Sequence, residues 1–164
     1  GTMDAGAALC LETQKSSHVL GVNLSSGLRM PAHASSLGKA MLAFVPLQKR
    51  RAVLCGVQLE RCTPNTITDP EDLERELDLV RRRGYATDRE EFSPGVVCIG
   101  APVFNAHGQV VAALSITAPA QRLALGELEK RYSAALLCTC RAISQELGCQ
   151  NPPLPEGVGP CSAG

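Results

Sequence analysis

Apolar and polar residues alternate along the chain with two different periods, and the period predicts which segments are helices. The clearest helix begins at Asp69 and ends before Gly84, and between them Leu73, Leu77 and Val80 recur at the spacing of one buried helix face. The aspartate suits the N-cap of this helix, and the glycine suits a left-handed C-cap. Three further segments have helical patterns: residues 35–44, 46–54 and 123–147.

Other segments have the shorter repeat that is typical of strands. Residues 27–33, which contain Pro31, are predicted to form a loop between the second of these strands and the helix at residues 35–44. Residues 105–108 are predicted to be the turn of a hairpin. The order of elements predicts an α+β fold, in which helices pack on one sheet that is partly antiparallel. The predicted strands cover residues 8–13, 19–24, 85–90, 96–104 and 109–118.

The predicted strand over residues 109–118 has two chemically different faces. One face carries the hydroxyls of Ser115 and Thr117, which need hydrogen-bond partners if they are buried. On the preceding strand Cys98 and Gly100 share a face, and the glycine leaves room for something to approach the backbone. The other face of residues 109–118 is wholly apolar and is predicted to be core: Val110, Ala112, Leu114 and Ile116.

These polar groups are candidates for binding a small acid. Asp88 lies on the strand before Cys98, so a carboxylate, a thiol and two hydroxyls fall on neighbouring strands. A helix that starts at Ser35 or Ser36 would add backbone N–H groups and a dipole that favours an anion. Two alternatives stay open from the pattern alone: the hydroxyls could bond to backbone or water, and the serines could be a plain N-cap.

Charge and composition exclude several classes of function. Sixteen basic and sixteen acidic residues cancel, so the chain has no electrostatic footprint for binding DNA by itself. With no Trp, two Tyr and three Phe, it has few side chains on which nucleobases could stack. No apolar run reaches the roughly 18 residues that span a bilayer, so no membrane partner is expected. The absence of a leader pattern favours the cytoplasm.

The cysteines and histidines do not form a metal-binding pattern. None of the eight cysteines belongs to a Cys-x-x-Cys pair, and His18, His33 and His107 are scattered. We therefore expect no metal and no cofactor. A cysteine-dependent hydrolase is an alternative function, with Cys98 as nucleophile, His33 as base and Asp88 as orienting group, but no local motif supports it. A ligand-free dimerisation module is another alternative.

Several segments, taken in order, resemble the effector-binding domain of IclR-type bacterial transcription regulators. The first is Met30 to Ala43, with the sequence MPAHASSLGKAMLA, and the second is Thr63 to Asp69, TPNTITD. The third is Arg83 to Phe92, RGYATDREEF, which continues as PGVVCIGAPVF. The segments 108–122 and 142–148 follow in the same order. The resemblance covers nearly the whole chain.

The resemblance implies a GAF-like α+β fold, with a central, mostly antiparallel sheet and a long C-terminal helix. It also implies a small-molecule effector, often an organic or aromatic acid, and homodimers or tetramers whose geometry positions DNA-binding domains. In similar domains the ligand lies between the loop at the helix start and the sheet. Carried over position by position, the effector-binding residues are Ser35, Ser36, Leu37, Asp88, Cys98, Ser115 and Thr117.

The same comparison suggests domain boundaries. Residues 4–150 are expected to form the effector-binding domain, and residues 1–3 resemble a remnant of tag cleavage, set aside from the fold. Residues 151–164 are rich in Pro and Gly and are expected to be a flexible tail. The winged helix-turn-helix of these regulators is absent from this chain, so DNA would be contacted only through that missing N-terminal domain.

Overall fold

The first strands of the chain form a small antiparallel sheet. A computed structural model describes residues 1–14, 22, 24–54 and 58–155. In it, strands β1 (Thr2–Asp4), β2 (Ala7–Leu9) and β3 (Arg29–Pro31) pair in that order.

This sheet differs from the pattern-based expectation in several places. Residues 1–3, set aside as a remnant, contribute to β1, and residues 27–33, predicted to be a loop, contain β3. The predicted strand at residues 8–13 is shorter and lies one residue earlier, as β2. Strands of three residues are too short to show a period-two pattern, and Pro31 is tolerated because it ends an edge strand. The strand predicted at residues 19–24 lies mostly outside the described residues.

The second half of the chain forms a three-stranded antiparallel sheet in the order β4-β5-β6. The reversal between β5 and β6 is closed by Asn105, whose carbonyl accepts from Gly108 N at 2.9 Å and whose own N–H donates to Gln109 O at 2.9 Å. The predicted hairpin and its turn are therefore confirmed. The strands are β4 (Ala86–Arg89), β5 (Val96–Phe104) and β6 (Val110–Pro119).

The predicted helices are present, and the caps of one of them follow the sequence. The Asp69 side chain accepts hydrogen bonds from Glu71 N and Asp72 N, and Gly84 adopts a left-handed φ of 83° while its N–H bonds to Val80 O. In the described part of the chain, no helix is long and apolar enough to cross a membrane. The helices are α1 (Ser36–Phe44), α2 (Leu47–Leu54), α3 (Pro70–Arg83) and α4 (Leu125–Glu146).

Helices cover both faces of the second sheet. One face of β5 packs against α4 in a buried cluster that includes Ile99, Leu128 and Leu136, and α1 and then α3 lie on the opposite side. The apolar face of β6 is only in part the core that its sequence predicted. Leu114 is 38% exposed, and it is not among the residues packed against the α4 cluster.

The first residue of the chain links the two sheets. Gly1 N donates to Ala113 O at 2.8 Å, and Ala113 N donates to Gly1 O at 2.9 Å. The Thr2 hydroxyl adds a bond to Val111 O at 2.9 Å. β1 therefore lies beside β6, and the segment that was set aside joins the two sheets.

Helix α1 crosses β5 in close contact with its backbone, and a glycine makes this possible. A Cβ added at Gly100 would lie 2.8 Å from the carbonyl carbon and oxygen of Ser36 and 3.2 Å from Leu37 N. These are backbone atoms, which cannot move aside as a flexible side chain could. The room that Gly100 was expected to leave is therefore filled by the first turn of α1.

The substitution Gly100→Ala tests this packing. We expect a loss of about 1–3 kcal/mol in the free energy of unfolding, because the added methyl forces α1 away from the sheet. Gly126→Ala is the matched control: a Cβ there meets nothing within 4 Å, and alanine is the better helix former. Urea unfolding followed by circular dichroism measures both variants. Equal stability of Gly100→Ala and the native chain would contradict the close approach.

Candidate functional site

Three polar side chains form a row across the second sheet. Asp88 on β4 lies directly opposite Cys98 on β5, and Cys98 lies directly opposite Thr117 on β6. The Thr117 hydroxyl donates to Cys98 Sγ at 3.3 Å. Two residues further along β5, and therefore on the same face, Gly100 is paired with Ser115 on β6. The alternation of side chains along strands therefore brings all five residues to one face. The faces predicted for Ser115 with Thr117 and for Cys98 with Gly100 are confirmed.

The start of α1 closes this face from above. Ser35 is the N-cap, and its Oγ accepts a hydrogen bond from Gly38 N at 3.1 Å. Ser36 and Leu37 form the first turn, and both are buried. The N–H groups of a first helical turn have no acceptor within the helix, so this turn offers donors to whatever lies beside it.

A cavity of about 240 Å³ lies between the first turn of α1 and the sheet. All seven residues selected from the sequence line it, although they come from widely separated segments. Residues that the sequence did not point to form the rest of the described wall. Most of these additional lining residues are apolar, and they are Val22, Leu24, Leu28, Met30, Phe92, Ser93 and Val96.

A buried ion pair beside the cavity was not predicted. Lys39 on α1 is fully buried, and its Nζ lies 2.6 Å from Oε1 and 2.5 Å from Oε2 of Glu91. Glu91 lies in the turn that follows β4, and its backbone N–H donates to Asp88 Oδ1 at 2.7 Å. The pair therefore ties the helix above the cavity to the turn after β4, whose backbone is hydrogen-bonded to Asp88. A lysine within a run of buried apolar residues was the available signal.

Two threonines fix the same turn from the other side. The Thr63 hydroxyl donates to Glu90 O at 2.7 Å, and the Thr66 hydroxyl donates to Glu91 O at 2.7 Å. Glu90 has a φ of 60°, a conformation that few residues other than glycine adopt. These contacts hold that turn in place. They give Thr63 and Thr66, in the segment 63–69, a structural role that the sequence did not indicate.

The carboxyl group of Asp88 is buried beside the cavity, and this changes its acidity. Burial, the largest effect, raises the pKa of Asp88 from 3.8 to about 6. The hydrogen bond from Glu91 N partly opposes the rise, the negative charge of the Glu91 carboxylate adds to it, and Lys39 opposes it.

The thiol of Cys98 is in an environment that makes it a poor nucleophile. Burial, followed by the charge of Asp88, raises its pKa to about 12, so it stays protonated at neutral pH. His33, the candidate base, lies 3.0 Å through Nε2 from Glu60 O and lines a different cavity. In the described part of the chain, no group of three or more His, Cys, Asp or Glu residues could hold a metal ion.

An α+β domain with an antiparallel sheet, helices on both of its faces and a long C-terminal helix is the fold of a class of regulator domains. Residues 1–145 match the family model described as bacterial transcriptional regulator IclR C-terminal. The chain belongs to this family, and the resemblance seen in its sequence is confirmed.

Known proteins of the family are similar in sequence and structure. The HTH-type transcriptional regulator RhmR of Escherichia coli is 35% identical over 153 residues, which cover 93% of this chain and 58% of the relative. The crystal structure of IclR from Thermotoga maritima superposes with a TM-score of 0.83 and 34% identity, covering 90% of this chain and 59% of that one. The expected GAF-like fold is thereby confirmed. The chain spans about half the length of the curated relatives it matches.

One similar structure contains a bound ligand. It is a double mutant of the inducer-binding domain of PobR from Acinetobacter, in complex with 3-hydroxybenzoic acid. The TM-score is 0.66 at 34% identity, and the match covers 75% of this chain and 70% of that one.

The substitution Glu91→Ala tests the buried ion pair. We expect a loss of about 3–5 kcal/mol in the free energy of unfolding, because Lys39 would be left charged and buried without a partner. The control is Glu127→Ala, which removes an exposed pair with Arg131 and is expected to cost at most about 1 kcal/mol. Denaturant unfolding measures both. Similar losses in the two variants would show that the buried pair has no special role.

Proposed function

We propose that the cavity binds a small organic acid, aromatic or aliphatic, and that its occupancy controls DNA binding by the regulator to which this domain belongs. One observation carries the proposal: the seven residues selected from the sequence all line one cavity between α1 and the sheet. Effector binding at these residues is the role we assign to them.

The cavity fits an acid of modest size. Its volume of about 240 Å³ lies just below the range of roughly 300–1,000 Å³ that is usual for ligand pockets. The first turn of α1 and the hydroxyl of Ser115 are donors suited to a carboxylate, and the Thr117 hydroxyl becomes one when it turns away from Cys98 Sγ. Leu28, Met30 and Phe92 offer apolar contacts to the remainder of the molecule. The PobR domain in complex with 3-hydroxybenzoic acid supports an aromatic acid as one candidate.

The proposed control acts through assembly of several copies. An effector can shift an equilibrium between two arrangements only by binding one of them better than the other. We propose that the two arrangements are geometries of a homodimer or tetramer. DNA contact is assigned to a separate domain, because this chain has no net charge and its relatives are named HTH-type regulators. A cytoplasmic location and the lack of enzymatic activity belong to the same proposal.

Ligand-induced stabilisation followed by calorimetry tests the acid-binding role. A panel of aromatic and aliphatic acids, including 3-hydroxybenzoate, is expected to raise the melting temperature for at least one acid. Ser115→Val is then expected to weaken binding of that acid by about 1–3 kcal/mol, because a hydroxyl donor is lost while the fold is retained.

Thr139→Val is the control for the loss of a hydroxyl. Thr139 lies on α4, exposed and outside the cavity, and its hydroxyl bonds to Ala135 O. Binding by this variant should equal that of the native chain. Unchanged affinity of Ser115→Val would remove Ser115 from the site. A panel in which no acid raises the melting temperature would favour the dimerisation module.

The reactivity of the thiols separates a sensing domain from a cysteine-dependent hydrolase. At pH 7.5 we expect iodoacetamide to modify the exposed Cys62 well before Cys98, because Cys98 is buried and its pKa is raised to about 12. Peptide mass spectrometry over a time course gives both rates. Rapid alkylation of Cys98, together with burst hydrolysis of an ester that Cys98→Ala abolishes, would overturn the sensing role.

A further inference from the structure

The cavity contains a carboxylate whose charge no cation in its wall balances. Among the described residues that line it, Asp88 is the one ionisable carboxyl group, and no Lys, Arg or His is present. The nearby cation is Lys39, and both of its short contacts go to the carboxylate of Glu91.

The groups that face Asp88 come from every element packed around it. They are Lys39 on α1, Glu91 in the turn after β4, Cys98 on β5 and Cys62 in the loop before α3. Lys39 and Glu91 cancel one another, and the thiol of Cys98 is uncharged at neutral pH. The ionised Asp88 therefore leaves this cluster with a net negative charge.

A carboxylate effector would add a second negative charge to this partly enclosed space, next to the buried carboxyl group of Asp88. Two carboxylates that share a buried site do not both stay ionised, because burial weakens the solvation of each and each repels the other. Donors at the first turn of α1 and on β6 can stabilise one anion. The other carboxyl group has to be neutral, and neutrality requires a proton.

We infer that the domain takes up one proton from solvent with each carboxylate effector that it binds, and that Asp88 and the bound acid share this proton. The inference rests on the proposed function. In chemical terms, an O–H bond forms on one of the two carboxyl groups and donates a hydrogen bond to the other. No covalent bond forms between protein and effector.

The acidity of Asp88 sets the pH range of the effect. Burial raises the pKa of Asp88 to about 6. In the ligand-free domain the carboxyl group of Asp88 is therefore mostly ionised above pH 7 and mostly protonated below pH 5. Proton uptake on binding is thus close to one above pH 7 and falls as the pH decreases. A cationic or neutral ligand would pair with the ionised Asp88 and need no proton, so the proton count also reports the class of ligand.

Calorimetry at pH 7.5 in buffers of different ionisation enthalpy counts the protons directly. The probes are 3-hydroxybenzoate and whichever other acids of the panel raise the melting temperature. We expect close to one proton per bound acid, and a dissociation constant that rises about tenfold between pH 7 and pH 8. The number of protons taken up is measured on the native chain, so this test does not depend on whether a variant folds.

The substitution Asp88→Asn tests whether the carboxyl group of Asp88 is responsible for the proton uptake. Its amide oxygen can still accept from Glu91 N, so the turn is retained. We expect no proton uptake, a dissociation constant that is flat from pH 7 to pH 8, and tighter binding than the native chain at pH 8. Asp78→Asn on the exposed side of α3 is the matched control and should behave as the native chain does.

The outcomes separate this inference from the proposed function. An acid that binds the native chain with no proton uptake overturns the inference and leaves the acid-binding role intact. Uptake that persists in Asp88→Asn overturns the assignment to Asp88. If no acid binds either the native chain or Asp88→Asn between pH 5 and pH 8, the acid-binding role fails and the inference fails with it.

Discussion

The ion pair between Lys39 and Glu91 is the contact on which the architecture of the site depends. It joins α1, whose first turn covers the cavity, to the turn after β4, which contains Phe92 and is hydrogen-bonded to Asp88. Burying two charges is costly, and apolar side chains of similar size often stabilise a protein as well or better. The pair differs from an apolar contact in being directional: both oxygens of Glu91 engage one ammonium group. We interpret it as a device that fixes the position of the turn relative to the helix.

Burial gives the two reactive groups of the cavity opposite roles. The same removal from water that raises the pKa of Asp88 raises that of Cys98, but from different starting values. The thiol moves further from neutrality and loses its reactivity. The carboxyl group moves towards neutrality and gains the ability to exchange a proton under physiological conditions. Cys98, the candidate nucleophile, is therefore an unreactive part of the cavity wall. Asp88, the candidate orienting group, is a titratable part of it.

The parts of the fold that follow from local rules could be predicted from the sequence. Strand alternation placed Ser115 with Thr117 on one face of their strand and Cys98 with Gly100 on one face of theirs, and the caps at Asp69 and Gly84 fixed the bounds of α3. The short strands of the first sheet could not be predicted, because three residues do not establish a period and their partners lie far away in sequence. The pairing of Lys39 with Glu91 spans 52 residues, so no local pattern records it. Leu114 was placed in the core because alternation identifies a face without showing which helix covers it.

The cavity follows from how the helix and the sheet meet. Gly100 lets the backbone of α1 approach β5 so closely that the first turn fills the space above this strand. The cavity lies beside this contact at the helix start, bounded by Asp88 of β4 on one flank and by Ser115 and Thr117 of β6 on the other. A ligand in this cavity would therefore lie directly against the first turn of α1, next to the close contact at Gly100 that sets the position of the helix.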